Sequence, residues 1–134
     1  APRLVDRMEA LIYLDTHVVA WLYAGETGLL SPRARTAIEK HALRVSPMVV
    51  LELELLKEIG RLEVGGEAIV TTLRARIGLE VCDLSFPRIL AAARQLTWTR
   101  DPFDRIIVGH ALAASRPLLT KDRSIRRRLR DTVW

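Results

Sequence analysis

Four of the six prolines in this chain close a pattern with a serine or aspartate ahead of a helix-forming stretch: Ser31-Pro32, Ser46-Pro47, Ser85-Phe86-Pro87 and Asp101-Pro102. Each pair reads as a helix start, because the side-chain oxygen can cap free backbone N–H groups and proline suits the first turn, where its missing N–H costs nothing. Short apolar runs stand between these starts. Residues 11–14, 43–45, 79–84 and 118–120 read as strands, and 132–134 could add a terminal one. Helices are expected from Thr16 to about residue 23, from Ser31-Pro32, over 46–59, 66–77, 85–96 and 101–114, and over about 124–130.

Strands alternating with helices in this way imply right-handed crossovers and a parallel sheet covered on both faces. The expected class is α/β, a three-layer α/β/α sandwich around a short parallel sheet. At 134 residues one domain is expected across 1–134, with 1–10 as an N-terminal extension. No apolar run approaches the length that spans a bilayer, and no secretory signal is legible. Cys82 is the only cysteine, which excludes an internal disulfide and a multi-cysteine zinc site, and a reducing, cytoplasmic setting fits.

In open α/β sheets, ligands bind beyond the carboxyl ends of the strands. Asp15 directly follows the first strand and Asp122 follows the fourth by two residues. Asp104 falls in the first turn of the helix begun by Pro102. Glu52 follows the apolar run Met48 to Leu51 and is preferred to Glu54 and Glu58, because that position implies partial burial. Four carboxylates from separate segments can therefore meet in one small volume. Without a cation they would repel. All-oxygen ligation favours Mg²⁺ or Mn²⁺, which supplies an acidic water for attack on phosphorus. Each acid also has a structural reading: Asp15, Asp101 and Asp122 as helix caps, Asp104 as a partner of the helix dipole. For Asp101 the cap is the better reading.

The segments Leu14-Asp15-Thr16-His17 with Trp21-Leu22, Leu30-Ser31-Pro32-Arg33-Ala34, Val45-Ser46 leading to Glu52, Arg100-Asp101-Pro102-Phe103-Asp104-Arg105, and Leu119-Thr120-Lys121-Asp122 resemble the PIN-domain family. Within it they are similar to the VapC-type toxin ribonucleases of toxin-antitoxin pairs. The resemblance runs from Leu11 to the C-terminus. It implies a metal-dependent endoribonuclease that inhibits translation, with Asp15, Glu52, Asp104 and Asp122 as its catalytic and metal-binding acids and Thr16 and Thr120 as supporting hydroxyls. It also implies a homodimer and a cognate antitoxin. Leu51 stands where close relatives often carry tryptophan.

The net charge is +5, and 18 of the 21 cations are arginine, a composition suited to phosphate recognition and equally to a bland Arg-rich surface. Arg100, Arg105 and Lys121 flank the acids and are the candidate RNA contacts, with an ion pair inside its own helix as the alternative for Arg105. The basic tail of Arg123, Arg126, Arg127, Arg128 and Arg130, anchored by Ile125 and Leu129, reads as a solvated helix face or as a contact for phosphate or antitoxin. Aromatic residues make up 5% of the chain, so backbone recognition of a structured RNA is expected over base stacking. His17, His41 and His110 lack ligand spacing and read as structural or surface residues, with an approach to phosphate beside Asp15 as the alternative for His17, and Trp21 and Leu22 read as core or dimer-seam residues.

Three rival readings remain open from the residues alone. A haloacid-dehalogenase-type phosphatase needs a second acid two residues beyond Asp15, where this chain has His17. A receiver-like signalling domain would need Asp83 as phosphoacceptor. A PIN-like module that binds RNA without cleaving it would keep the same acids.

Overall fold

The computed structural model describes residues 10–134. Strand β1 (Leu11–Leu14) is followed by helix α1 (Thr16–Ala24), a short 3₁₀ turn (Thr27–Leu29), α2 (Pro32–Lys40) and β2 (Ala42–Val45). Then come α3 (Pro47–Glu58), α4 (Gly66–Ile77), β3 (Glu80–Val81), α5 (Phe86–Ala93), α6 (Pro102–Ala114), β4 (Leu118–Leu119), α7 (Arg123–Arg128) and β5 (Thr132–Val133). All pairings are parallel, and the sheet order is β3-β2-β1-β4-β5. Helices on both faces complete the expected three-layer α/β/α sandwich. Of the expected N-terminal extension over 1–10, only Ala10 lies within the described residues.

The central strand is apolar throughout because both of its faces are covered, with Ile12, Tyr13 and Leu14 all buried. Around them pack Leu43 and Val45 of β2, Leu118 and Leu119 of β4, and the inner faces of the helices, including Val18, Val19, Val49, Leu53, Ile69, Leu73, Ile107 and Val108. Helix α1 packs on α3 and α4, α6 on α3 and α5, and α2 against β5. Gly66 allows α4 to approach α3 closely: a Cβ there would run into the Val50 carbonyl oxygen. Among the described residues, no helix is long and apolar enough to cross a membrane.

All four proline-marked helix starts stand where the sequence puts them. Ser31, Ser46 and Asp101 cap with their side chains, whereas Ser85 makes no such bond. Three elements end two or more residues short of expectation. The third strand shrinks from 79–84 to two residues, because it is an edge strand whose only partner, β2, ends at Val45. The helix expected to reach residue 96 ends at Ala93, and the last helix ends at Arg128 rather than at 130.

The chain adds β2 and β3 on one side of β1, then returns to add β4 and β5 on the other. That reversal between β1 and β4 is a topological switch point, where two adjacent strands send their connections to opposite sides and leave a crevice at their carboxyl ends. The Asp15 N–H donates to the Leu119 carbonyl across this point at 3.0 Å.

Candidate active site

Asp15 leaves the end of β1 as the N-cap of α1, and its carboxylate is buried, with 8% of the residue exposed. One oxygen accepts from the Thr16 N–H at 2.8 Å and the other from the Thr120 hydroxyl at 2.5 Å. The Thr120 Oγ1 also accepts from the Asp122 N–H at 3.0 Å, so one hydroxyl ties the turn after β4 to the end of β1. The Thr16 hydroxyl donates to Glu52 Oε1 in a short hydrogen bond that links α1 to the second turn of α3. Both threonines are fully buried. A buried polar group must find a partner, and here each hydroxyl meets that demand by orienting an acid.

Asp122 lies at the mouth, exposed, and caps α7 by accepting from the Ile125 N–H at 3.0 Å. Asp104 is half-buried in the first turn of α6. The expected cap, Asp101, accepts from the N–H groups of Phe103 and Asp104. The structural and chemical readings of Asp15 and Asp122 are thus compatible: capping uses one carboxylate oxygen of each, and both still reach the cleft. Glu54 holds the start of α4 through the Gly66 N–H at 3.2 Å and Glu58 is exposed, which leaves Glu52 as the acid that faces the cleft from α3.

Asp15, Glu52, Asp104 and Asp122 line one cleft of about 380 Å³, together with His17, Val18, Trp21 and Lys121. Burial and then repulsion between neighbouring acids raise Asp15, Glu52 and Asp104 above their ordinary range. Burial pushes Asp15 up against the hydrogen bonds from Thr120 and Thr16, and it pushes Glu52 up against the bond from Thr16. Asp104 is raised to about 7, by burial first and then by the charges of Asp101, Asp15, Asp122 and Glu52.

A hard divalent cation suits this donor set, because it would offset the repulsion and favour the carboxylate form. Among the described residues no three acidic, histidine or cysteine side chains already stand close enough to enclose an ion. Mg²⁺ needs no such cage: it is usually held by one or two carboxylates and keeps several waters. Asp15 and Glu52, each oriented by a threonine, with Asp104 opposite, would be its direct or water-mediated ligands.

Of the three candidate phosphate contacts, Lys121 lines the cleft, its ammonium 5.8 Å from the centroid of the Trp21 ring. Arg100 is exposed in the loop before α6 and is not among the lining residues. Arg105 is engaged within the protein, and among the described residues it forms no ion pair within its own helix. Its guanidinium donates to the Ala93 carbonyl from Nε and Nη2, both at 3.2 Å, and to the Arg94 carbonyl at 3.3 Å, closing the C-terminal end of α5.

Two further lining residues stand out, Trp21, expected elsewhere, and His17, for which a place beside Asp15 is the lesser of two expectations. Trp21, expected in the core or a dimer seam, is only half-buried and forms a wall of the cleft. His17 stands beside it with ring centroids 6.0 Å apart, and its charge acts to lower both Asp15 and Glu52. The available signal was their spacing: residues 17 and 21 are one helical turn apart, on the face that follows Asp15. His41 and His110 are structural, each ring bonded to the carbonyl four residues earlier.

Residues 12–129 match the family model described as PIN domain. No curated protein matches the chain. Among solved structures, VapBC2 from Rickettsia felis bound to a DNA fragment from their promoter contains a chain of similar fold. The TM-score is 0.61 over 87% of this chain and 92% of that one, at 17% identity.

Proposed function

This chain belongs to the PIN-domain family, and from that premise we propose that it is a VapC-type endoribonuclease toxin, a single PIN-like domain that hydrolyses RNA phosphodiester bonds with Mg²⁺ or Mn²⁺. The observation that carries the reading is the gathering of Asp15, Glu52, Asp104 and Asp122, from four separate segments, around one cleft at the switch point of the sheet. A bound divalent cation would supply an acidified water and neutralise charge on the phosphate oxygens.

The chain's own residues do the positioning. Thr16 and Thr120 hold the carboxylates of Glu52 and Asp15 in fixed orientations, so little reorganisation is needed when substrate enters. Lys121 sets one positive charge at an otherwise anionic mouth and gives a phosphate a favourable approach. The fold neighbour is a two-component assembly on promoter DNA, which supports a cognate antitoxin for this chain as well. Repression of translation, a homodimer and a cytoplasmic setting complete the proposal.

The receiver-like alternative loses its main support, because Asp83 follows the edge strand β3 and is not among the residues lining the acidic cleft. The test is cleavage of labelled RNA by purified, antitoxin-free protein in Mg²⁺ or Mn²⁺, beside Asp15→Asn and Asp104→Asn. Loss of cleavage in both variants is expected. Equal cleavage by all three proteins would reject the site, and no cleavage by any of them, with RNA still bound, would favour the binding module.

A further inference from the structure

A second cavity, of about 450 Å³, is lined by Arg33, Arg123, Arg126, Arg127, Thr132 and Trp134. No aspartate or glutamate side chain is among these residues. Among the described residues, none of the four arginines forms an ion pair or a side-chain hydrogen bond. They come from two helices far apart in sequence: Arg33 from the first turn of α2, the others from α7. An arginine-rich composition scatters such charges over a surface, but it does not gather them round one cavity.

Stability of the fold accounts for only part of the arrangement: Arg126 and Arg127 lie in the last turn of α7, where the helix dipole favours cations, but Arg33 has no such benefit. Like charges at short range repel, and a cation in the first turn of α2 is disfavoured by the helix dipole. An anion in the cavity would reverse the sign of both effects. The acidic cleft poses the same problem with the charges exchanged.

The two cavities meet at a pair of indoles. Trp21 lines the acidic cleft, Trp134 lines the arginine cavity, and their ring centroids are 6.1 Å apart. A strand whose scissile phosphate lay among the acids could pass this pair and set its neighbouring phosphates among the guanidinium forks, with a base against an indole. We propose that the arginine cavity is a backbone subsite that grips single-stranded RNA to one side of the cleavage point, a proposal that rests on the reading of the acidic cleft as a nuclease centre. An acidic peptide would satisfy the arginines but has no equal use for the indoles, so RNA is the favoured occupant.

The test is binding, not turnover. A fluorescein-labelled single-stranded RNA octamer is titrated, in chelator, with wild type, with Arg126→Ala/Arg127→Ala and with Arg33→Ala. All three arginines are exposed, and Arg33 sits on a different helix, so a local defect in α7 cannot produce both results. The expected result is a loss of about tenfold or more for the double variant. Its plot of log affinity against log salt should be shallower by about 1.4, and that of Arg33→Ala by about 0.7, since each phosphate contact on a single strand contributes roughly 0.7.

Unchanged affinity and slope in both variants would overturn the proposal. So would unchanged RNA binding with loss of a polyglutamate peptide, which would assign the cavity to a protein partner. Chelator separates the two claims. Absence of nuclease activity in Mg²⁺ alongside these binding losses would reject the nuclease reading and leave the subsite standing, whereas active cleavage with unaltered slopes would do the opposite.

Discussion

Asp104 shows how far one side chain can depend on its neighbours. Its carboxyl rises from an ordinary 3.8 to about 7 because it is half-buried and faces other acids. In metal-free protein the native state therefore holds an extra proton that the unfolded chain has lost between about pH 4 and 7, so this group's contribution to stability falls as pH rises through that window. Asp104→Asn should raise the melting midpoint in chelator at pH 8 and raise it much less at pH 5. Equal shifts at both values would show that repulsion is not the cause. Thr120 acts in the other direction, since its hydroxyl holds Asp15 and receives the Asp122 N–H. Thr120→Val should weaken Mg²⁺ binding at least severalfold in a calorimetric titration, and Thr120→Ser should restore most of it. A Thr120→Val protein with wild-type affinity would reduce the hydroxyl to a packing role.

At the scale of elements, α6 is fastened at both ends of its first turn. Asp101 caps its N–H groups, while Arg105 reaches across to the open carbonyls that end α5. Cations belong at helix C-termini, where they meet unpaired carbonyls and the negative end of the dipole. Arg105→Ala should lower stability by about 1 to 2 kcal/mol, the scale of charge-assisted hydrogen bonds discounted for partial exposure. The salt dependence of RNA binding should not change. A shallower salt slope at constant stability would instead return Arg105 to the phosphate contacts proposed from sequence. The same comparison weighs Lys121, which faces the cleft and should alter the slope when replaced.

At the scale of the whole molecule, the acidic cleft and the arginine cavity adjoin at Trp21 and Trp134. If the acids bind a divalent ion only when folded, that ion stabilises the native state by mass action, by about 2.7 kcal/mol at one hundred times its dissociation constant. Thermal unfolding of wild type should therefore shift upward in millimolar Mg²⁺ relative to chelator. The shift should vanish in Asp15→Asn, because Asp15 is the most buried of the four acids and the one joined to both β1 and β4. Superimposable wild-type curves in the two conditions would remove the metal from the account of the site.

Local chemistry determined which segments became helices and strands. A capping oxygen next to a proline acts within one turn, and an unbroken apolar run belongs to a strand covered on both faces, so the four helix starts and the central strand could be read without coordinates. Asp15, Asp104 and Asp122 were legible for the same reason: their places at strand ends and a helix start are local, and the switch-point rule turns those places into one edge of the sheet, while Glu52 was legible from the apolar run before it. Distances of closest approach are not local. That Arg105 closes α5, that Trp21 leaves the core to wall the cleft, and that Arg33 joins α7 around a second cavity all depend on how layers pack. Composition correctly counted few aromatic rings, but it could not foresee that His17, Trp21 and Trp134 would lie together. The His17–Trp21 pair is one turn of a single helix, but the other contacts join separate segments through packing that no single segment encodes, and only the tertiary structure decided them.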